Sequence, residues 1–223
     1  MKAMILAAGW GTRMRPLSND TPKPLIKIAG KALIEYHIEH LVKSGITDIV
    51  INHARFRDQI EQMLGDGRAY GAAIHYSAEG EQPLETGGGI FKALPLLSDG
   101  PFIVVNSDIW CDYPLSKLPD KFNGHAYLVL VDNPDHHPKG DFALEDGRVL
   151  AEGPSMLTFS GIGVYRPELF ADCHPGTFPL APVLRIAMAN RLVTGEHYQG
   201  LWADVGTPER LHQIQELAAG QNK

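Results

Sequence analysis

Residues 4–25 read MILAAGWGTRMRPLSNDTPKPL. An apolar run, Met4 to Ala8, breaks into a loop with two glycines, three cations and three prolines. The run reads as a buried strand over residues 2–8, and a loop of that composition can wrap something negative. Glycines let backbone N–H groups approach phosphate oxygens. Arg13 offers a planar fork and Lys23 a point charge, while Pro22 and Pro24 restrict the backbone on either side of Lys23. A dinucleotide fingerprint would need a third glycine where Met14 stands, and the Walker pattern is not spelled. The reading that uses every residue is a triphosphate-binding loop.

Outward from the loop, helix and strand patterns alternate. Residues 31–44 have helical spacing and stop at Gly45. Residues 46–53 form a β-branched strand, 56–64 a helix, 73–78 a strand, 87–97 a helix, and 101–108 a strand ending in Asn106-Ser107-Asp108. Such alternation implies βαβ units, whose ligands sit at the carboxyl ends of the strands. After residue 110 the pattern changes. Residues 124–132 and 160–167 read as strands, with a hairpin about Asp146-Gly147. Residues 180–190 read as a helix and 192–206 as strands. A terminal helix follows from Thr207, its cap, and Pro208. The expected fold class is α/β: one Rossmann-like domain over residues 1–223, with a mixed, mostly parallel central sheet flanked by helices. A nucleotide half covers about 1–110 and an acceptor half about 111–223.

The chain has 223 residues, 44% hydrophobic and 21% charged, with net charge −6. That composition suits a folded core. The acidic balance argues against nucleic acid or an anionic membrane as partner. Cys111 and Cys173 show no metal or disulfide spacing. The apolar start is too short for a signal peptide and no stretch is long enough to span a membrane, so a cytoplasmic protein is expected.

The opening stretch, with PLETGGGI (83–90), VVNSD (104–108) and LWADVGTPERL (201–211), resembles the sugar-1-phosphate nucleotidyltransferases of the nucleotide-diphospho-sugar transferase fold. Their opening pattern is L-A-A/G-G-x-G-T-R-x-x-P-L-T followed by P-K-P, with Ser18 here replacing threonine. The resemblance spans essentially the whole chain, without the β-helix of the bifunctional branch. It implies a nucleoside triphosphate and a sugar 1-phosphate as substrates, pyrophosphate as product, and a monomer or small homo-oligomer. It implies catalytic roles for Arg13, on the β- and γ-phosphates, and Lys23, on the α-phosphate. Asp108 and Asp204 match the carboxylates that hold Mg²⁺. Leu6, Ala8, Gly9, Gly11, Thr12, Glu79, Gly80 and Thr86 match the nucleotide site. Asn106, Gly140, Glu152, Ser160 and Gly161 match the sugar site.

Glu79 only accepts hydrogen bonds, which favours bases with a ring N–H over cytosine. The likeness is strongest to the branch that uses UTP and N-acetylmuramate 1-phosphate in peptidoglycan recycling. Mannose-1-phosphate guanylyl transfer, glucose-1-phosphate uridylyl or thymidylyl transfer, and an inactive sugar-nucleotide sensor are the alternatives. Three departures stand out: Glu85 replaces a glycine, Asp141 is unusual, and Gly153 replaces a lysine that meets the sugar phosphate. Arg15 or Arg185 could supply that charge, and Lys139 or His136-His137 could meet a lactyl carboxylate. His37 and His40, one helical turn apart, read as surface histidines.

Overall fold

A computed structural model describes residues 1–97 and 99–221. The chain opens with β1 (Ala3–Leu6), the long loop, and a hairpin of β2 (Lys27–Ile28) and β3 (Lys31–Ala32). Next come α1 (Leu33–Lys43), β4 (Asp48–His53), α2 (Arg57–Leu64), β5 (Ala73–Ala78), α3 (Glu85–Ala93), β6 (Phe102–Asn106) and β7 (Ile109–Cys111). The second half contributes β8 (Ala126–Val131), β9 (Phe142–Glu145), β10 (Arg148–Leu150) and β11 (Met156–Tyr165). It ends with α4 (Leu180–Ala189), β12 (Val193–Tyr198), β13 (Trp202–Asp204) and α5 (Pro208–Gln221).

Among the described residues one nine-stranded sheet runs through both halves, in the order β5-β4-β1-β6-β11-β8-β12-β10-β9. The sheet is mixed, as expected. Its parallel part narrows to β5, β4, β1 and β6, plus the β8–β12 pair. The remaining pairs are antiparallel, because the second half of the chain is built largely from hairpins and returning strands.

Strands of the parallel part are apolar on both faces, as sheets covered on both sides must be. Ile5, Ile49, Ile51, Ile103 and Val105 face a core with Ile34, Ile38 and Leu41 of α1 and Ile60 and Leu64 of α2. Met4, Val50, Phe102 and Val104 face the other, with Ile90 of α3 and Leu184 and Met188 of α4. Three boundaries move. Residues 31–32 join a hairpin before α1. The helix expected from Gly87 begins at Glu85 and tightens into a 3₁₀ turn at Leu94–Leu96, around Pro95. β11 begins at Met156, and its register on β8 shifts between Phe159 and Ile162. That irregularity falls beside Asn106 and re-aims the strand at the site.

Candidate active site

The loop after β1 is pinned at three places. The Ala7 N–H donates to Asn52 Oδ1 at 2.7 Å. The Ser18 hydroxyl donates to the Gly11 carbonyl at 2.7 Å, so serine does the closing that threonine would do. Met14, where a dinucleotide fold needs glycine, is fully buried with Ile26, Ile28, Leu33, Val205 and Leu211. It anchors the loop to the segment that carries Asp204. Gly11 is left-handed (φ 61°), and a Cβ there would stand 3.3 Å from the Cβ atoms of both Ser18 and Lys23. Lys23 starts a 3₁₀ turn between its two prolines, with its side chain only 11% exposed and Nζ 2.6 Å from Asp108 Oδ2.

The two carboxylates are 96 positions apart in sequence but neighbours in space. β7 and β13 form an antiparallel pair in which Asp204 faces Ile109, and the Val205 N–H donates to the Asp108 carbonyl at 2.7 Å. Asp204 Oδ1 accepts from Arg210 Nη1 at 2.8 Å and lies 2.9 Å from His136 Nε2. Among the described residues no group of three or more His, Cys, Asp or Glu side chains converges as a full cage for a metal. Two hard-oxygen donors lining one cavity, each already neutralised by a cation, fit an ion such as Mg²⁺, which keeps water and substrate phosphate in its shell.

A cavity of about 320 Å³ opens above the loop, lined by Leu6, Ala8, Gly9, Trp10, Gly11, Thr12, Arg13, Lys23, Glu79, Thr86 and Asp108, among others. The expected nucleotide residues therefore meet, except Gly80, which is exposed and outside the lining. Glu79 is buried in the wall. Its Oε1 accepts from Asn52 Nδ2 and its Oε2 from the Leu84 N–H, both at 2.6 Å. A base N–H would share an oxygen that already organises the wall. Thr86 Oγ1 accepts from the Leu180 N–H at 3.0 Å. Glu85, which replaces a glycine, keeps the left-handed backbone a glycine would take (φ 59°), a strained conformation for a side-chain-bearing residue.

A second cavity, about 310 Å³, is lined by Asp141, Thr158, Ser160, Trp202, Asp204 and both His136 and His137. It shares Arg13, Asn106 and Asp108 with the first. Ser160 is fully buried, with its Oγ accepting from the Ile162 N–H at 3.1 Å. Gly161 (φ 84°) lies against Asn106, whose Cγ would stand 2.9 Å from a Cβ. It lines a smaller, mostly apolar chamber of about 160 Å³ with Asn106, Asp141 and Arg185.

Several expectations need correction. Gly140 lines none of these cavities, and its N–H donates to the His137 carbonyl at 3.2 Å. Glycine is required there by a φ of 65° and by Asn133 Oδ1, 2.7 Å from where a Cβ would be. Asp141 instead reaches the cavity, accepting from the Phe159 N–H at 2.9 Å. Glu152 is exposed and outside every cavity described above. A lysine at 153 has no room, since a Cβ would stand 2.6 Å from that of Ala143. Arg15 and Lys139 line neither main cavity. Arg185 lies 5.6 Å from the Phe142 ring centroid. His37 is not a surface residue. It lies buried against the backbone of Ser107 and Ile109, and burial lowers its pKa to about 4, which keeps it uncharged.

The pattern of the nucleotidyl transferase family matches residues 2–144. The chain belongs to this family. It is 52% identical to the N-acetylmuramate alpha-1-phosphate uridylyltransferase of Neisseria meningitidis serogroup B, over 98% of each chain. It is 38% identical to the enzyme of the same name from Caulobacter vibrioides, over 93% of this chain and 92% of that one. The structure of the inositol-1-phosphate CTP transferase from T. maritima superposes with a TM-score of 0.83 at 21% identity, covering 98% and 94% of the two chains. That likeness supports the fold alone.

Sequence reasoning passed over Asn52, Gly206 and Arg210. As a polar residue at the carboxyl end of a parallel strand, Asn52 carried a usable signal. Arg210 carried none, because its partner Asp204 is reached only through the turn between β13 and α5. No helix among the described residues is long and apolar enough to cross a membrane.

Proposed function

We propose that the protein transfers the uridylyl group of UTP to N-acetylmuramate 1-phosphate, giving UDP-N-acetylmuramate and pyrophosphate. The observation that carries this is the shared wall of Arg13, Asn106 and Asp108, where a nucleotide-sized cavity and an acceptor cavity meet. The names of the two uridylyltransferase relatives supply the choice of base and sugar.

In the reaction an oxygen of the acceptor phosphate attacks the α-phosphorus in line. A new P–O bond forms, the bond to the β-phosphate breaks, and pyrophosphate leaves with that electron pair. The acceptor is largely a dianion at neutral pH and needs no general base, so catalysis is positioning and charge neutralisation. Lys23, held stiffly between prolines, takes the α-phosphate, and Arg13 at the cavity junction takes the leaving phosphates. Mg²⁺ held by Asp108 and Asp204 would supply further neutralisation of the α-phosphate. Glu79, an acceptor in the wall, selects a base with a ring N–H. The Ser160–Gly161 segment and Asn106 bound the sugar. This chemistry belongs to the cytoplasm, where nucleoside triphosphates are made, and to reuse of cell-wall sugars.

A pyrophosphate-release assay with Mg²⁺, crossing four nucleoside triphosphates with several sugar 1-phosphates, tests the proposal. UTP with N-acetylmuramate 1-phosphate should give the highest kcat/KM. A preference for GTP with mannose 1-phosphate would overturn base and sugar. No release with any pair would leave the protein a sensor.

A further inference from the structure

The acceptor cavity must admit a phosphate dianion, yet three carboxylates line it: Asp108, Asp141 and Asp204. Arg13 is the one arginine or lysine in that lining among the described residues, and it also faces the nucleotide cavity. Each carboxylate has a partner, and Asp204 has a second in His136, which also touches Arg210. Lys23 covers Asp108 at 2.6 Å, His137 covers Asp141 at 3.0 Å, and Arg210 covers Asp204 at 2.8 Å.

Arg210 is the unusual member. It stands in the first turn of α5, where the helix dipole disfavours a cation. Its side chain is nonetheless only 16% exposed. The space for it is made by Gly206. A Cβ at 206 would stand 2.1 Å from Arg210 Nη2 and 2.6 Å from Asp204 Oδ2, so a glycine lets guanidinium and carboxylate share the position. Gly206 itself lines the nucleotide cavity. The guanidinium lines a further cavity, about 590 Å³, which shares His136, Trp202 and Asp204 with the acceptor cavity. Residue 153 has no room for a side chain, and Arg185 rests over Phe142 in the smaller chamber beside Gly161.

The geometry points to Arg210 as a substrate cation held in reserve by Asp204. The acceptor's 1-phosphate competes with Asp204 for the guanidinium, and a divalent ion held by Asp204 would leave the guanidinium free to turn to that phosphate. A planar fork with five donors suits that group better than an ammonium. Resting on the transfer reaction proposed above, this assigns Arg210 to acceptor recognition and gives Asp204 two successive cationic partners.

The test measures wild type, Arg210→Ala, Arg210→Gln and Arg210→Lys in two ways. One is steady-state kinetics with UTP, Mg²⁺ and N-acetylmuramate 1-phosphate. The other is calorimetric titration of N-acetylmuramate 1-phosphate into enzyme holding Mg²⁺ and a non-hydrolysable UTP analogue. Losing a charge-assisted contact should raise the acceptor KM and Kd about tenfold or more. The KM for UTP should stay within about twofold, and Arg210→Lys should recover part of the loss. With its internal counter-ion gone, the Ala variant should also bind Mn²⁺ more tightly than wild type.

Equal losses for UTP and acceptor, or an unchanged acceptor Kd, would overturn the assignment and leave Arg210 a structural partner of Asp204. If the Ala variant does not fold, the Gln and Lys variants carry the same comparison. A wild type that neither binds nor turns over N-acetylmuramate 1-phosphate sinks the reaction and this inference together. A wild type that does both, with variants that match it, sinks the inference alone.

Discussion

Gly11 in the nucleotide half and Gly161 in the acceptor half are both left-handed, and each lies against a residue of the site. Gly11 is held against Ser18 and Lys23, with all three residues inside one loop, and a Cβ there would meet its neighbours at 3.3 Å. Gly161 lies against Asn106, 55 positions earlier and on another strand, and a Cβ would meet Asn106 Cγ at 2.9 Å. The bonds that close the two sites differ in the same way. The loop's closing bond, from Ser18 to Gly11, spans seven positions. The acceptor site is closed by Trp202 Nε1 donating to the Ser160 carbonyl at 2.8 Å and by the β7–β13 pair. The loop's own closure is thus a local turn device that a sequence pattern can spell, with Asn52 and Val205 bracing it from afar, while the acceptor site is assembled across strand pairings.

The contrast can be broken at its junction first. Lys23→Ala and Asp108→Ala should each lower turnover about 1000-fold while circular dichroism keeps the wild-type fold and the melting transition falls, because each leaves a largely buried charge without its partner. Chelation of divalent ions should abolish turnover, and Mg²⁺ should restore it. Near-normal turnover in either variant would remove that residue from the chemistry.

Next, Gly161→Ala should cost about 2 kcal/mol in urea unfolding and should raise the KM of the acceptor more than that of UTP. Gly11→Ala, in looser surroundings, should cost less and should act chiefly on UTP. Matching effects on the two substrates would erase the division into halves.

Glu79→Gln sharpens the nucleotide side. It places an amide against either Asn52 Nδ2 or the Leu84 N–H, so stability should fall by about 1–2 kcal/mol and discrimination against CTP should weaken. Unchanged discrimination would reduce Glu79 to a brace for Asn52 and the loop.

The smallest effect should be a gain. Glu85→Gly relieves a left-handed glutamate at the rim, offset by the flexibility of glycine in the unfolded chain. The expected balance is about 1 kcal/mol of added stability with little change in the KM for UTP. A loss of stability would mean the Glu85 side chain makes a contact that outweighs its backbone strain.

The sequence by itself determined the α/β alternation, the glycine- and proline-rich loop that carries Arg13 and Lys23, and the polar strand end at Asp108. These follow from neighbours within a few residues: period, turn chemistry and proline restriction. It also pointed to Asp204, through a second local motif. Only the tertiary structure decided that Asp204 lies across a two-stranded ladder from Ile109, and that Met14 ties the loop to Val205 and Leu211. Likewise it spent the Gly140 N–H on a turn, closed residue 153 to a side chain, and set Arg210 behind Asp204. Each of those is a pairing or a steric limit between segments far apart in the chain, and residue spacing carries no record of which strand lies beside which.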